Sequence, residues 1–151
     1  LKRLLAGQLD LVFIKQDPGS PDGQVVRRDR MVWVGHKSMQ LDIDSPVPLI
    51  AYQAPSLSRT YAIQSLESIG RTWRITCNVK EVNGVLAAVR AGIGISAFPQ
   101  SLIPADLAQV SASFELPQLG DVDFALRDNP SAARGPVEAL SAAIMSRPVQ
   151  Q

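Results

Sequence analysis

The chain has 151 residues, 46% of them hydrophobic, with fifteen basic and fourteen acidic side chains and a net charge of +1. That is the size of one ordinary domain, able to bury about 70% of its unfolded surface. The balanced charge excludes a polyanion-binding field, and the densest basic cluster, Arg27-Arg28-Asp29-Arg30, is broken by an acid and reads as a solvated strand face.

Leu1, Leu4 and Leu5 read as the last turns of an amphipathic helix closed by Gly7. Leu9 to Ile14 is a compact buried strand with Asp10 near its start. Asp17-Pro18-Gly19 and Pro21-Asp22-Gly23 carry turn chemistry, and Val25 to Val34 is a long strand, polar in its middle. A loop over Gly35 to Pro48 leads to a short strand, Leu49 to Tyr52. Ser56 or Ser58 then caps a helix that uses Ala62, Leu66 and Ile69 and closes on Gly70. Trp73, Ile75, Cys77 and Val79 alternate as a half-buried strand.

The segment from Lys80 to Pro99 is the most informative. Asn83 is placed to cap a helix in which Val85, Leu86 and Val89 recur at helical spacing and which Gly92 closes. Ile93 to Phe98 is apolar and too short for a second helix, which suits a strand covered on both faces and stopped at Pro99. Gly92-Ile93-Gly94-Ile95-Ser96-Ala97 fits the G-x-G-x-x-A dinucleotide pattern by letter. That pattern must follow a strand and open a helix; here the order is reversed, so the match is a coincidence.

Ser101 to Leu107 is a weak helix broken by Pro104, and Val110 starts another short strand. Val122, Phe124 and Leu126 alternate as the last strand, and Asp128-Asn129-Pro130 turns the chain. Pro136 suits the first position of a closing helix with Val137, Leu140 and Ile144 on one face and Arg147 near its end. Alternating strands and helices argue an α/β fold with a mainly parallel sheet. The polar interruptions at 35–48 and 115–121 bracket a second lobe inserted into the first.

The lone cysteine, Cys77, excludes an internal disulfide and reads as a buried small hydrophobe. No residue spacing suits a metal, and neither metal nor cofactor is expected. No apolar run approaches the length of a membrane span and no signal-peptide pattern is visible, so the expectation is a cytoplasmic protein without a membrane partner. The chain starts at Leu1 rather than Met, and the start of the protein is expected upstream.

In order along the chain, several segments resemble the effector-binding domain of LysR-type transcriptional regulators. Leu4-Leu5-Ala6-Gly7-Gln8-Leu9-Asp10-Leu11-Val12 is similar to that family's L-x-x-G-x-L-D-L opening motif. Val32-Trp33-Val34-Gly35-His36 is similar to its crossing strand, although Lys37 stands where a proline is usual. Pro48-Leu49-Ile50, then Arg59, the helix to Gly70 and Trp73-Arg74 follow in the family's order. Val89-Arg90-Ala91-Gly92-Ile93-Gly94-Ile95 through Pro99 is similar to its V-x-A-G-x-G-I…P line.

The resemblance implies a type 2 periplasmic-binding-protein-like fold, two α/β lobes with a ligand cleft. Lobe I would hold residues 1–34 and a return at 120–151, and lobe II residues 35–119. It implies that the DNA-binding domain, the linker helix and the first strand–helix–strand of lobe I fall outside these residues, so that lobe I is incomplete here. It also implies a homodimer or homotetramer that contacts DNA only through an N-terminal winged helix-turn-helix.

In such sheets a ligand meets the carboxyl ends of strands and the starts of the following helices. Those places hold Gln16, the Tyr52–Ser58 stretch with Ser56 and Ser58, Asn83, and Phe98 with Pro99. Free amides at helix starts favour an anionic or carboxylate effector. Arg59 either clamps that anion or is exposed and pairs with Glu67 or an Asp. Asn83, Ser56 and Ser58 serve equally as helix caps, Phe98 as core, and Gln16 has no evident structural duty.

The leading reading is an effector-sensing and dimerisation domain of a LysR-type regulator. The alternative is a fragment of a type 2 periplasmic solute-binding protein. A small α/β enzyme is the third reading, and it is disfavoured: His36 is the only histidine, and no G-x-S-x-G, H-E-x-x-H or Walker pattern is present.

Overall fold

The structure is a computed structural model that describes residues 11–110, 114–129 and 134–146. The expected helix end at Leu1 to Gly7, Leu9, Asp10, Pro130 and Arg147 lie outside the described residues. The elements are β1 (Leu11–Gln16), β2 (Gln24–Gly35), β3 (Val47–Tyr52), α1 (Leu57–Ser68), β4 (Trp73–Val79), α2 (Val82–Arg90), β5 (Ser96–Pro99), a 3-10 turn (Gln100–Leu102), β6 (Ala108–Gln109), β7 (Asp121–Asp128) and α3 (Arg134–Met145). The chain divides into two compact units, one of residues up to Asp29 together with those from Asp121, the other Arg30–Gly120. The first boundary falls inside β2 rather than at its end.

In the first unit β7 lies between β1 and β2. β1 and β7 pair antiparallel from Leu11↔Asp128 to Gln16↔Asp123. Val122, Phe124, Ala125 and Leu126 are buried, so β7 is covered on both faces. β1 departs from the compact buried strand expected of it. It stands at the edge of the described sheet, and Phe13 is 54% exposed, its ring stacked 5.8 Å from that of Phe124. The basic cluster is not merely a solvated face either. The Arg27 guanidinium sits 4.5 Å over the Phe124 ring, and Arg28 pairs with Asp123. Along α3 only Val137 is buried, and Leu140 is 52% exposed. The inward face runs through Val137, Ser141 and Ile144, which leaves Leu140 outside it. Pro136 is the third residue of that helix rather than the first, still within the turn whose amides lack helical acceptors.

The second unit carries the parallel pairing. β3 and β4 run parallel from Val47↔Trp73 to Tyr52↔Val79, and a parallel bridge joins Leu49 to Ile95. The end of β2 pairs antiparallel with β5 and with β6. The sheets are therefore less parallel than the alternation of strands and helices suggests, because β2 and β7 run against their neighbours. Val34, Ile50, Val85, Ala88, Val89, Phe98 and Leu107 form the buried cluster, with Tyr52, Cys77 and Val79 packed against it half-buried. Each Val, Leu or Ile buried there contributes about 1.5–3 kcal/mol.

Four local readings shift. α2 starts at Val82 with Glu81 as N-cap and no side-chain cap bond, so Asn83 lies inside the first turn. The chain leaves β4 at Val79 and turns straight into the helix, before Asn83 is reached. β5 starts at Ser96, not Ile93: Gly92 closes α2 at φ +72, and Ile93, next to it, is 45% exposed. Ile69 is the C-cap of α1 and is 52% exposed, one step past the last helical turn; Ser58, Ala62 and Leu66 form the buried stripe. The stretch around Pro104 holds only the short 3-10 turn, and the following strand is Ala108–Gln109, with the Val110 amide donating to the Trp33 carbonyl at 2.8 Å.

Candidate functional site

The carboxyl ends of β3 and β4 lie side by side, and the chain passes from β3 through a cis Ala54–Pro55 bond into α1. Ser56 takes the N-cap position in extended conformation, φ −149 and ψ 130, and its Oγ accepts from the Arg59 amide at 3.3 Å. Its carbonyl accepts from the Thr60 amide at 3.0 Å. A serine at this position satisfies one of the four orphan amides of a helix start. The Leu57 amide has no acceptor within the helix, so the positive end of the α1 dipole faces outward here.

Arg59 reaches back across the strand ends. Its Nη1 donates to the Tyr52 carbonyl at 3.1 Å and to Asn78 Oδ1 at 3.2 Å. That tether is to β3 and β4 rather than to Glu67, and Arg59 is half-buried. Ser58 is 4% exposed and Ser96 3%. Ser96 Oγ donates to the Ile50 carbonyl at 2.8 Å. Leu49 to Tyr52, Ser58, Arg59, Ala62, Ser96 and Ala97 enclose a hollow of about 10 Å³, room for roughly one water molecule.

The remaining candidates lie elsewhere. Asn83 is exposed on the first turn of α2. Phe98 belongs to the buried cluster, and Pro99 is buried at the end of β5 opposite Met31. Gln16, at the end of β1 in the first unit, is 6% exposed and does have a structural duty: its Nε2 donates to the Ser20 carbonyl at 3.1 Å. Beside it Asp123 is fully buried, and the Arg28 guanidinium holds its carboxyl below the usual carboxylate range, helped by the Gly19 amide and opposed by burial. His36 is exposed, with Ser38 Oγ 2.7 Å from its Nδ1. Among the described residues no group of three or more His, Cys, Asp or Glu side chains is placed to hold a metal, and no helix is long and apolar enough to cross a membrane.

Residues 1–144 match the family described as LysR substrate binding domain. The chain belongs to the LysR substrate-binding domain family. This LysR substrate-binding domain is similar to the HTH-type transcriptional regulator DgdR of Burkholderia cepacia, 28% identical over 127 residues that take in 84% of this chain and 43% of that protein. It spans less than half the length of the curated relatives it matches. Its fold is that of the regulatory domain of a HypT variant from Salmonella typhimurium, with a TM-score of 0.72 at 16% identity over 95% of this chain and 76% of that one. The regulatory domain of CcmR from Synechocystis PCC6803, solved in complex with 2-PG, matches with a TM-score of 0.67 at 15% identity over 96% of this chain and 76% of that one.

Of the residues read from sequence, the structure brings Ser56, Ser58 and Arg59 together in this LysR substrate-binding domain. Sequence reasoning missed Asn78 and Ser96, which complete their surroundings. Asn78 had a signal, since the alternation of β4 puts it with Arg74 on the polar face. Ser96 had none, because a serine within an apolar run reads as a small core residue until the Ile50 carbonyl is seen beside it.

Proposed function

We propose that this LysR substrate-binding domain senses a small anionic effector, a carboxylate or a group of like shape, and passes its state to a helix-turn-helix DNA-binding part of the same regulator. The observation that carries the reading is the convergence at the β3–β4 strand ends of the α1 amide end, Ser56 and a tethered arginine. An anion at a helix start gains about 0.3–1 kcal/mol, and more when partly buried. Nη1 of Arg59 is taken up by Tyr52 and Asn78, which orients the rest of the planar fork for a carboxylate.

Ser56, Ser58 and Arg59 are the contacts assigned on this unit, with Asn83 at the start of α2, and Phe98 and Pro99 backing the rim from the core. Gln16, at the end of β1, is assigned an effector contact of its own. The domain binds without transforming its ligand and acts by population shift: an effector that prefers one conformation favours it, and the DNA-binding parts of a cytoplasmic homodimer or homotetramer respond. The family match favours this regulator over a periplasmic solute-binding protein.

Thermal melts of the intact regulator against a panel of small carboxylic acids test the reading. An acid present at a hundred times its Kd is expected to add about 2.7 kcal/mol of stability. Arg59→Gln is expected to weaken that acid by about tenfold or more, since a charged hydrogen bond contributes roughly 1.5–3 kcal/mol. Light scattering of the same preparation is expected to give a dimer or tetramer. A panel in which no acid moves the melt overturns the anionic assignment.

A further inference from the structure

The Gln16 end of β1 is held by a chain of bonds that converges on one carboxylate. Asp123 of β7 is 0% exposed and stands opposite Gln16 in the β1–β7 register. Its two oxygens take three donors, Arg28 Nε at 2.7 Å, Arg28 Nη2 at 3.1 Å and the Gly19 amide at 3.2 Å. Gly19 belongs to a turn closed by the Ser20 amide on the Asp17 carbonyl at 3.0 Å. At φ +77 Gly19 supplies the left-handed residue that a type II turn takes after its second position, here Pro18. Ser20 then offers its own carbonyl to Gln16 Nε2 at 3.1 Å.

We propose that Asp123 is the positioning residue for Gln16: its carboxylate anchors the Asp17–Ser20 turn, and the turn sets the glutamine amide at the end of β1. The inference rests on the reading of Gln16 as an effector contact. Two features tie the anchor to Gln16. Gln16 Oε1 is buried without a hydrogen-bond partner among the described residues, so the Ser20 carbonyl is the bond that orients the amide. Asp123 meets the turn at the Gly19 amide, one residue before the carbonyl that Gln16 uses. A ligand-contacting side chain performs only when the groups behind it are themselves locked, and a buried carboxylate with three donors is a rigid lock.

The test needs no effector, which keeps it separate from the carboxylate panel: a silent panel sinks the assignment of the site and leaves the following result to judge Asp123. The intact regulator is labelled with 15N-glutamine, Gln16 is identified through Gln16→Ala, and amide exchange is followed by mass spectrometry in wild type and Asp123→Asn. In the variant the 17–22 amides are expected to exchange tenfold faster or more, and the Gln16 side-chain NH2 resonances to move to the position of exposed glutamines. Exchange in β7 is expected to stay within threefold. Unmoved Gln16 resonances, or a uniform acceleration through β1 and β7, would overturn the proposal. Should Asp123→Asn fail to fold, wild type and Arg28→Lys decide. A Gly19 amide that exchanges at the free-peptide rate in wild type overturns it, as does an Arg28→Lys variant in which Gln16 moves while Gly19 keeps its wild-type protection, since the glutamine would then be set without the turn. A Gly19 protected in wild type that Gln16 follows in Arg28→Lys, both holding or both loosening, supports it.

Discussion

Gly94 sits where no side chain fits. A Cβ there would lie 2.6 Å from the Pro48 carbonyl oxygen and 3.0 Å from Thr76 Oγ1. The backbone is that close because the Ile95 amide donates to the same Pro48 carbonyl at 2.9 Å and the Ile50 amide to the Ile95 carbonyl at 2.8 Å. Gly94→Ala must therefore push β3 away from the chain leading into β5, and overpacking of this kind costs roughly 1–3 kcal/mol. Urea unfolding of the intact protein should show that loss as a lower midpoint with an unchanged slope. In the sequence Gly92 and Gly94 look alike, two glycines in one G-x-G. One closes a helix with positive φ, the other clears space for a neighbouring strand. The first role was legible because helix spacing stops at Gly92. The second depends on Pro48, which is far away in the chain.

Among the elements, α1 and α2 show how capping is read and misread. Ser56 was one of two candidate caps for α1 and holds the position, its Oγ on the Arg59 amide. Ser56→Ala is expected to cost about 1 kcal/mol, the usual value of a serine cap, measurable as a fall in Tm. Because the cap also shapes the end of the helix that Arg59 leaves, an acid that binds wild type should lose affinity in the same variant. Asn83 had the same chemistry but not the position. The exit from β4 sets where α2 begins, and that exit puts Glu81 at the cap. Strand boundaries follow the same logic. β4 and β7 were legible from alternation and turn residues, whereas the edge position of β1, and with it the exposure of Phe13, depends on which strands pair.

At the scale of the molecule, Arg30–Gly120 is a single continuous stretch with its own buried cluster, while the other unit is assembled from two separated stretches. A continuous unit with an internal core has what independent folding requires. Expressed alone, residues 30–120 are expected to give an α/β circular-dichroism spectrum and one cooperative urea transition. A broad, non-cooperative transition would show that the unit needs the rest of the chain. The family, the order of strands and helices and the capping of α1 by Ser56 were all open to sequence reading, because each rests on local periodicity, capping chemistry and short motifs. Three things were decided only by tertiary structure: the antiparallel course of β2 and β7, the tether of Arg59 to Tyr52 and Asn78, and the bonds from Asp123 to Arg28 and the Gly19 turn. The reason is common to all three. Each joins residues well separated in sequence, and a buried polar group takes whichever partner the packed chain brings to it.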